Sequence, residues 1–255
     1  KRGDPKCGEK FASQIGQAIK NLKSKNQKLC GFIAETFPSV GGQIITPQGY
    51  LDKVYKQIRE QGGLCIADEV QTGLGRLGDY YFGFEYQKVY PDIVVLGKPI
   101  GNGHPIGVVA TTQKIANSFD NGIEFFSTFG GSTLSCAIAK EVIEIVDQEA
   151  LQSNAKEMGI KLKKGLKNLQ EKYQSIGDVR GMGLFVGIEF IDKTGKENMR
   201  LCTFVKNRMR EYRILVGSEG PKDNVLKIRP PLSIEADDID MIIETLDIIL
   251  AEEAL

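Results

Sequence analysis

The strongest constraint on the fold is a series of short apolar runs separated by segments with helical periodicity. Residues 29–34 and 64–67 are typical of buried strands, and residues 50–61 between them are typical of a helix. Further short strands are predicted at 92–97 and 106–110. Strands that alternate with helices form a mostly parallel sheet with helices on both faces. The pattern therefore predicts an α/β fold.

The pattern changes in the second half of the chain. A helical pattern begins at Thr133 and extends toward Tyr173, and residues 184–190 then alternate like a strand. Later elements are predicted at 199–212 (helix), 225–228 (strand) and 236–253 (helix). We place a domain boundary near residue 150, which separates a first domain at 1–150 from a smaller α/β domain at 151–255.

Charge and hydropathy exclude several classes of partner. The 33 Lys and Arg residues balance 33 Asp and Glu residues, which argues against a nucleic acid or an anionic membrane bound through a broad basic surface. A membrane span needs about 18 consecutive apolar residues, and no run approaches that length. The sequence thus predicts small-molecule partners, with no nucleic acid and no membrane.

The counts of His and Cys limit which metal sites, catalytic groups and disulfides the chain can contain. His104 is the one histidine, so a metal site with several histidine ligands is excluded and no metal is predicted. A Ser–His–Asp triad would need His104 as its base. The five cysteines show no CxxC spacing, which favours reduced thiols and a cytoplasmic protein. Because the first residue is Lys1 rather than Met, we expect a piece of a longer protein.

Two ionisable residues follow predicted strands, Asp68 after LCIA and Lys98 after DIVVLG. Ligand sites in open α/β sheets lie at the carboxyl ends of the strands. A partly buried Lys loses its proton more readily, and the neutral amine can attack a carbonyl carbon to form a Schiff base. The alternatives are a turn or a helix cap for Asp68 and a solvated side chain for Lys98.

Phosphate binding is a second hypothesis. Residues 128–133 combine hydroxyls and glycines just before a predicted helix, which favours an anion at the helix N-terminus. The alternative is an ordinary N-cap at Ser132 or Thr133. Neither a P-loop nor a correctly spaced dinucleotide fingerprint is present in the sequence.

Four segments, in this order, resemble the class III aminotransferases: IADEVQTGLGRLG, PDIVVLGKPIGNGHPIGVV, STFGGSTLSCAIA and IGDVRGMGLFVGIEF. These enzymes depend on pyridoxal 5'-phosphate (PLP) and have PLP fold type I. The resemblance implies that residues 1–150 are the C-terminal part of the PLP-binding large domain and residues 151–255 the small domain. Within the family, the sequence most resembles the branch that contains alanine–glyoxylate aminotransferase-like enzymes and phospho-lyases that act on phosphorylated amines.

The resemblance also implies roles for individual residues. Lys98 corresponds to the lysine that binds PLP covalently and later moves the proton, and Asp68 to the carboxylate paired with the pyridinium nitrogen. Val70 corresponds to the apolar residue on one ring face and Gln71 to the amide at the ring hydroxyl. Thr128 corresponds to the hydroxyl that contacts the cofactor phosphate across a homodimer interface, which implies shared active sites.

At two positions this chain differs from the residues with which the family binds its substrates. Many family members bind the substrate α-carboxylate with an Arg, but Lys227 stands at that place here, with Arg229 two residues on. Where dual-substrate members mask the Arg with a Glu, this chain has Val40. A phosphorylated amine without that carboxylate would fit, with elimination of phosphate. The alternative is that Arg229 or an upstream residue binds the carboxylate, so Lys227 and Arg229 are both candidate substrate-binding residues.

A third departure is the absence of the family's upstream glycine- and serine-rich phosphate loop and of the aromatic residue that stacks on the ring. We therefore expect exposed apolar sheet surface on this chain. The predicted function is a class III, PLP-dependent aminotransferase that moves an amino group between a small amine or amino acid and an oxo acid. The alternatives are a phospho-lyase, or a truncated, non-catalytic module for dimerisation or assembly.

Overall fold

The computed structural model describes residues 6–253, which divide into two compact units. The first unit contains the residues up to 36, then 46–74 and 82–148, and the second contains 37–45, 75–81 and the residues from 149 onward. The sequence predicts a single division near residue 150, and the two inserted segments of the second unit were not predicted. In the described range no helix is both long enough and apolar enough to cross a membrane.

The first unit contains a four-stranded sheet. Its strands are β1 (Gly31–Glu35), β2 (Leu64–Asp68), β3 (Ile93–Leu96) and β4 (Val108–Thr111). They lie in that order, and β1, β2 and β3 pair in parallel while β4 is antiparallel to β3. The predicted α/β architecture with a mostly parallel sheet is confirmed, and the antiparallel direction of β4 was not predicted.

Helices of the first unit are α1 (Cys7–Ser24), α2 (Tyr50–Glu60), α3 (Gly83–Tyr86), α4 (Gln113–Phe119) and α5 (Thr133–Gln148). In α2 the residues Leu51, Val54, Tyr55 and Ile58 recur at helical spacing and are buried against a core that includes Cys65. The chain leaves α2 through Gly62, whose φ of 78° favours glycine. This packing fixes β2, and hence the strand end that carries Asp68.

Apolar surface of the first unit remains exposed, as the sequence predicts. Ile33 in β1 is 63% exposed and Val109 in β4 is 68% exposed. Several large apolar side chains between residues 119 and 134 are also exposed: Phe119, Ile123, Phe125, Phe126, Phe129 and Leu134. Exposed apolar patches of this kind mark surfaces that another chain or segment covers.

The second unit contains an antiparallel sheet in the order β5, β6, β8, β7. Its strands are β5 (Ile176–Met182), β6 (Phe185–Phe190), β7 (Gly217–Glu219) and β8 (Val225–Ile228), and its helices are α6 (Leu151–Lys172), α7 (Met199–Glu211) and α8 (Ala236–Glu253). One continuous apolar core joins the three helices to the sheet. A Cβ on Gly159 would collide with the carbonyl oxygen of Gly183, so this glycine permits a close approach of α6 to the loop between β5 and β6.

The long helical pattern from Thr133 is interrupted rather than continuous. Helix α5 ends at Gln148 and α6 begins at Leu151, because Ala150 adopts a left-handed conformation with φ of 51°. An unbroken helix to Tyr173 is therefore wrong. Strands β5 and β7 were not predicted, since glycine and charged residues interrupt their apolar pattern.

Candidate active site

Asp68 and Lys98 lie at the carboxyl ends of neighbouring parallel strands in the first unit. Asp68 is the last residue of β2 and pairs with Val95 of β3, and Lys98 follows the end of β3 by two residues. Parallel strands place their carboxyl ends at one edge of the sheet, where ligands of open α/β sheets bind. The fold therefore brings the carboxylate and the amine to the same sheet edge.

The Asp68 carboxylate is half-buried and held in place by the backbone. Its Oδ1 accepts a hydrogen bond from the N–H of Val70 at 3.0 Å. Asp68 therefore also stabilises a turn, which is the alternative role that the sequence offers for it. Its Oδ2 accepts no hydrogen bond from any residue between 6 and 253. One oxygen thus orients the carboxylate while the other stays available to a ligand.

Lys98 adopts a strained backbone conformation. Its φ is 36°, and it begins a short 3-10 turn at Lys98–Gly101. Such a conformation costs on the order of 1–3 kcal/mol for a residue with a Cβ, and residues of this kind cluster at functional sites. The side chain is exposed, and its ammonium group contacts no carboxylate of the described residues.

Val70 packs beside the backbone that precedes Lys98. A Cβ built on Gly97 would lie 3.5 Å from Val70 Cγ2 and 3.6 Å from Cγ1, in ordinary van der Waals contact. The segment after β2 and the segment after β3 therefore touch at this point. Val70 supplies an apolar surface next to Lys98, which is the place that a planar ring between Asp68 and Lys98 would need.

Gln71 carries a buried polar atom without a partner. Its Oε1 is shielded from solvent and accepts no hydrogen bond from the described part of the chain. A buried acceptor in this state costs about 1–3 kcal/mol and calls for a donor. A ligand hydroxyl in the neighbourhood of Asp68 and Val70 would satisfy it.

Glu69 is a structural residue of the site that the sequence did not single out. Its side chain is fully buried and accepts hydrogen bonds from Thr72 Oγ1 at 2.5 Å and from the N–H groups of Gly83 and Phe84 at 2.9 Å each. Burial raises the pKa of the Glu69 carboxyl, and these hydrogen bonds oppose the rise. Glu69 thus ties the segment after β2 to the start of α3 and fixes its neighbours Asp68 and Val70. In the sequence, the one sign of this role is that Glu69 directly follows Asp68.

Thr128 lies in the exposed segment 119–134. Its hydroxyl has no hydrogen-bond partner between residues 6 and 253. Ser132 accepts a hydrogen bond from the N–H of Ser135 at 3.4 Å, so the N-cap alternative at the start of α5 is present. His104 is a loop residue anchored to the same helix, with Nε2 2.9 Å from Ser135 Oγ.

The two candidate substrate-binding residues lie in the second unit, at the end of β8. Lys227 Nζ donates to Glu219 Oε1 of β7 at 2.5 Å, while the Arg229 guanidinium makes no hydrogen bond or ion pair with the described residues. The carbonyl of Val40 accepts the N–H of Gly220, next to Glu219, at 3.0 Å. The carboxylate that masks a basic side chain therefore comes from β7, and the backbone carbonyl of Val40 binds the residue next to it.

Asp68, Val70, Gln71 and Lys98 thus form one cluster at the sheet edge of the first unit, with Glu35 opposite Asp68 in β1. The cluster offers a primary amine, an oriented carboxylate, an apolar surface and an unsatisfied acceptor. Such a set can bind an aromatic aldehyde covalently and keep a basic ring nitrogen protonated.

Comparison with known proteins agrees with this chemistry. The model of the family described as "Aminotransferase class-III" matches residues 4–250. A Drosophila melanogaster relative named "Alanine--glyoxylate aminotransferase 2-like" is 44% identical over 241 residues, which are 93% of this chain and 49% of that protein. The mitochondrial "Alanine--glyoxylate aminotransferase 2 homolog 2" of Arabidopsis thaliana is 40% identical and covers 94% of this chain and 50% of its own length.

Solved structures show the same likeness. A phospholyase from Arthrobacter in complex with phosphoethanolamine superposes with a TM-score of 0.92 and 36% identity, covering 96% of this chain and 58% of that one. An amine transaminase from an uncultivated Pseudomonas species, in its PLP-bound form, gives a TM-score of 0.87 and 30% identity, with 98% and 58% covered. The chain spans about half the length of the curated relatives that it matches.

Proposed function

The chain belongs to the class III aminotransferase family, and from this premise we propose that the whole protein is a PLP-dependent aminotransferase. It would move an amino group between a small amine or amino acid and an oxo acid. The observation that carries the proposal is the placement of Asp68 and Lys98 at neighbouring strand ends, with Lys98 strained at φ of 36°. Strain of this kind persists where the surrounding fold imposes it for function.

The residues present fit PLP. Lys98 would hold it covalently, Asp68 Oδ2 would accept the pyridinium N–H, and Val70 would pack on the ring. The unsatisfied Gln71 Oε1 supports the fit independently, since it needs the kind of donor that the ring hydroxyl supplies. When bound, PLP acts as an electron sink for the amine-bearing carbon.

The chain's own residues supply the proton chemistry. With the cofactor bound, the Lys98 Nζ would be the base that takes a proton from the amine-bearing carbon of the substrate and returns it at another position. The Asp68 carboxylate, oriented by the N–H of Val70, would pair with the ring nitrogen and favour its protonated form. Glu69 keeps Asp68 and Val70 in place through its three hydrogen bonds.

Cofactor binding tests the proposal. PLP added to the purified protein should give the absorbance of PLP joined to a lysine, and Lys98→Ala should abolish it. Lys88→Ala is a matched control, because Lys88 is also exposed and also has a positive φ, 55°, but does not follow a strand of the sheet. Absorbance that survives Lys98→Ala, or is missing from the unaltered protein, would favour the non-catalytic assembly module.

We assign residues 1–150 to the C-terminal part of a PLP-binding large domain and 151–255 to the small domain. The partner is a second copy of the chain, with Thr128 contacting the cofactor phosphate of the other subunit. Support comes from the exposed segment 119–134, where Phe126 and Phe129 are 79% and 87% exposed.

Oligomeric state tests this arrangement. Phe126→Ser should weaken dimerisation by about tenfold or more in sedimentation velocity, as expected for an aromatic anchor of an interface. Leu215→Ser in the second unit is the control, because Leu215 is equally exposed at 83% but lies outside that segment. Equal effects of the two substitutions would contradict an interface at 119–134.

A phospho-lyase is the second candidate. Lys227 is already paired with Glu219 and replaces the Arg that many aminotransferases use for the substrate carboxylate. The likeness to the solved phospholyase, with a TM-score of 0.92, also supports phospho-lyase activity. Release of phosphate from phosphoethanolamine would establish this activity. No release, together with half-transamination by alanine, would exclude it.

The five scattered cysteines without CxxC spacing support a cytoplasmic location. Two relatives are named as mitochondrial, so fractionation of cells that express the protein is the deciding measurement.

A further inference from the structure

Two partly buried arginines of the second unit differ in how their charge is balanced. Arg180 in β5 donates to Asp178 Oδ2 at 2.8 Å and to Glu189 Oε2 at 2.5 Å, so two carboxylates surround it. Arg76 forms no ion pair with any carboxylate between residues 6 and 253. A buried cation is normally paired, so Arg76 leaves an uncompensated positive charge inside this unit.

Arg76 is held against the end of β8. Its Nη1 donates to the carbonyl oxygens of Leu184 at 3.3 Å and of Pro230 at 2.8 Å. Pro230 directly follows Arg229, so the two arginines are neighbours. Burial and the charge of Arg229 lower the pKa of Arg76 to about 10, which still leaves the guanidinium protonated at neutral pH.

Arg229 lies on the same side of β8 as Lys227, but unlike Lys227 it forms no ion pair with a described residue. Leu226 and Ile228 point into the apolar core, and the residues between and after them alternate to the opposite face. Lys227 is neutralised there by Glu219 at 2.5 Å. Burial lowers the pKa of Arg229 and the more distant Glu219 opposes this, yet no described carboxylate pairs with Arg229 directly.

We propose that Arg229 and Arg76 form an anion-binding site in the second unit, and that it takes the phosphate group of a phosphorylated amine. The two guanidinium groups, whose charges act on each other, offer double positive charge and forked donors, which suit a dianionic phosphate monoester better than a singly charged carboxylate. Lys227 is not part of this site, because its charge is already used by Glu219. The identity of the substrate rests on the proposed function, whereas the anion site itself does not.

Titration with inorganic phosphate at constant ionic strength tests the site, with binding measured by calorimetry on the purified protein. Arg229→Gln should raise the dissociation constant by about tenfold or more, since it removes a charge-assisted, forked donor. Arg229 makes no described hydrogen bond that folding requires, so the variant should melt like the unaltered protein.

The matched control is the double variant Glu219→Gln with Lys227→Gln, which removes a neutral pair from the same face of the sheet. Phosphate should bind this variant as tightly as the unaltered protein, or more tightly, because Glu219 no longer opposes the anion beside Arg229. A loss of binding in the double variant would assign the site to Lys227 and overturn the proposal. No saturable binding to the unaltered protein, or unchanged binding in Arg229→Gln, would overturn it as well.

Competition distinguishes the two sources of anion. Phosphoethanolamine should displace phosphate at about tenfold lower concentration than alanine or acetate, and equal displacement by the carboxylates would contradict the phosphate assignment. The titration needs no bound PLP. Phosphate binding that depends on Arg229, in a protein without the Lys98-dependent absorbance, would thus keep the anion site and refute the proposed function.

Discussion

The two units bury their apolar surface to very different extents. In the second unit a cluster of 22 buried residues joins three helices and an antiparallel sheet, whereas the buried cluster of the first unit contains seven. The first unit leaves sheet residues such as Ile33 and the aromatic segment 119–134 exposed. The second unit therefore has the larger buried apolar core, while the first leaves apolar surface that calls for further cover.

The largest expected effect tests the closed core. Phe190→Ala removes a fully buried ring from the second unit and should lower its free energy of unfolding by about 3–5 kcal/mol. Urea denaturation followed by circular dichroism measures the loss. Tyr90→Ala in the first unit is the control and should stay within about 0.5 kcal/mol, because Tyr90 is 83% exposed and lies outside segment 119–134. Equal losses would erase the distinction between the units.

A medium effect tests whether polar contacts stabilise the first unit where its apolar core is small. Glu69→Ala leaves the N–H groups of Gly83 and Phe84 without an acceptor and should cost about 1–3 kcal/mol. Hydrogen exchange of these two amides should accelerate together with the loss of stability. Glu60→Ala, which removes an exposed carboxylate of the same unit, serves as the control. Unchanged exchange in Glu69→Ala would show that other contacts hold the start of α3.

The smallest effect concerns a surface contact of the second unit and its pH dependence. Hydrogen bonds from Lys172 and Tyr173 lower the pKa of Asp247. A lowered pKa gives stability above the carboxyl's ordinary pKa, and that stability is lost as the pH falls through the lowered value. Because the ion pair is largely exposed, with 56% and 38% of its side chains accessible, the effect should be at most about 0.5 kcal/mol.

Unfolding of Asp247→Asn at neutral and at acidic pH measures this contribution. The variant should be slightly less stable than the unaltered protein at pH 7 and equal to it in acid, whereas Glu244→Gln, at an exposed position of the same helix, should show no such trend. A larger difference in acid than at pH 7 would contradict the assigned direction.

Much of the fold was predictable from local patterns. The bounds of β8 and α8 were predicted to the residue, from a short, mainly apolar run and an amphipathic helical pattern. Asp68 and Lys98 were predicted at strand ends because each follows an apolar run. The strands rich in glycine and charge, β5 and β7, were missed, because cross-strand partners rather than local pattern decide their pairing.

The sequence by itself determined the family, the α/β class and the position of an amine and a carboxylate on successive strands, because each depends on residue order along the chain. Only the tertiary structure decided which charges meet. It paired Lys227 with Glu219, left Arg229 beside Arg76, and gave Glu69 its donors from Gly83 and Phe84. Arg76 and Pro230 are 154 positions apart, and no local periodicity encodes a contact at that separation. Such contacts arise when packing of the apolar core brings distant segments together, which also explains how segments 37–45 and 75–81 became part of the second unit.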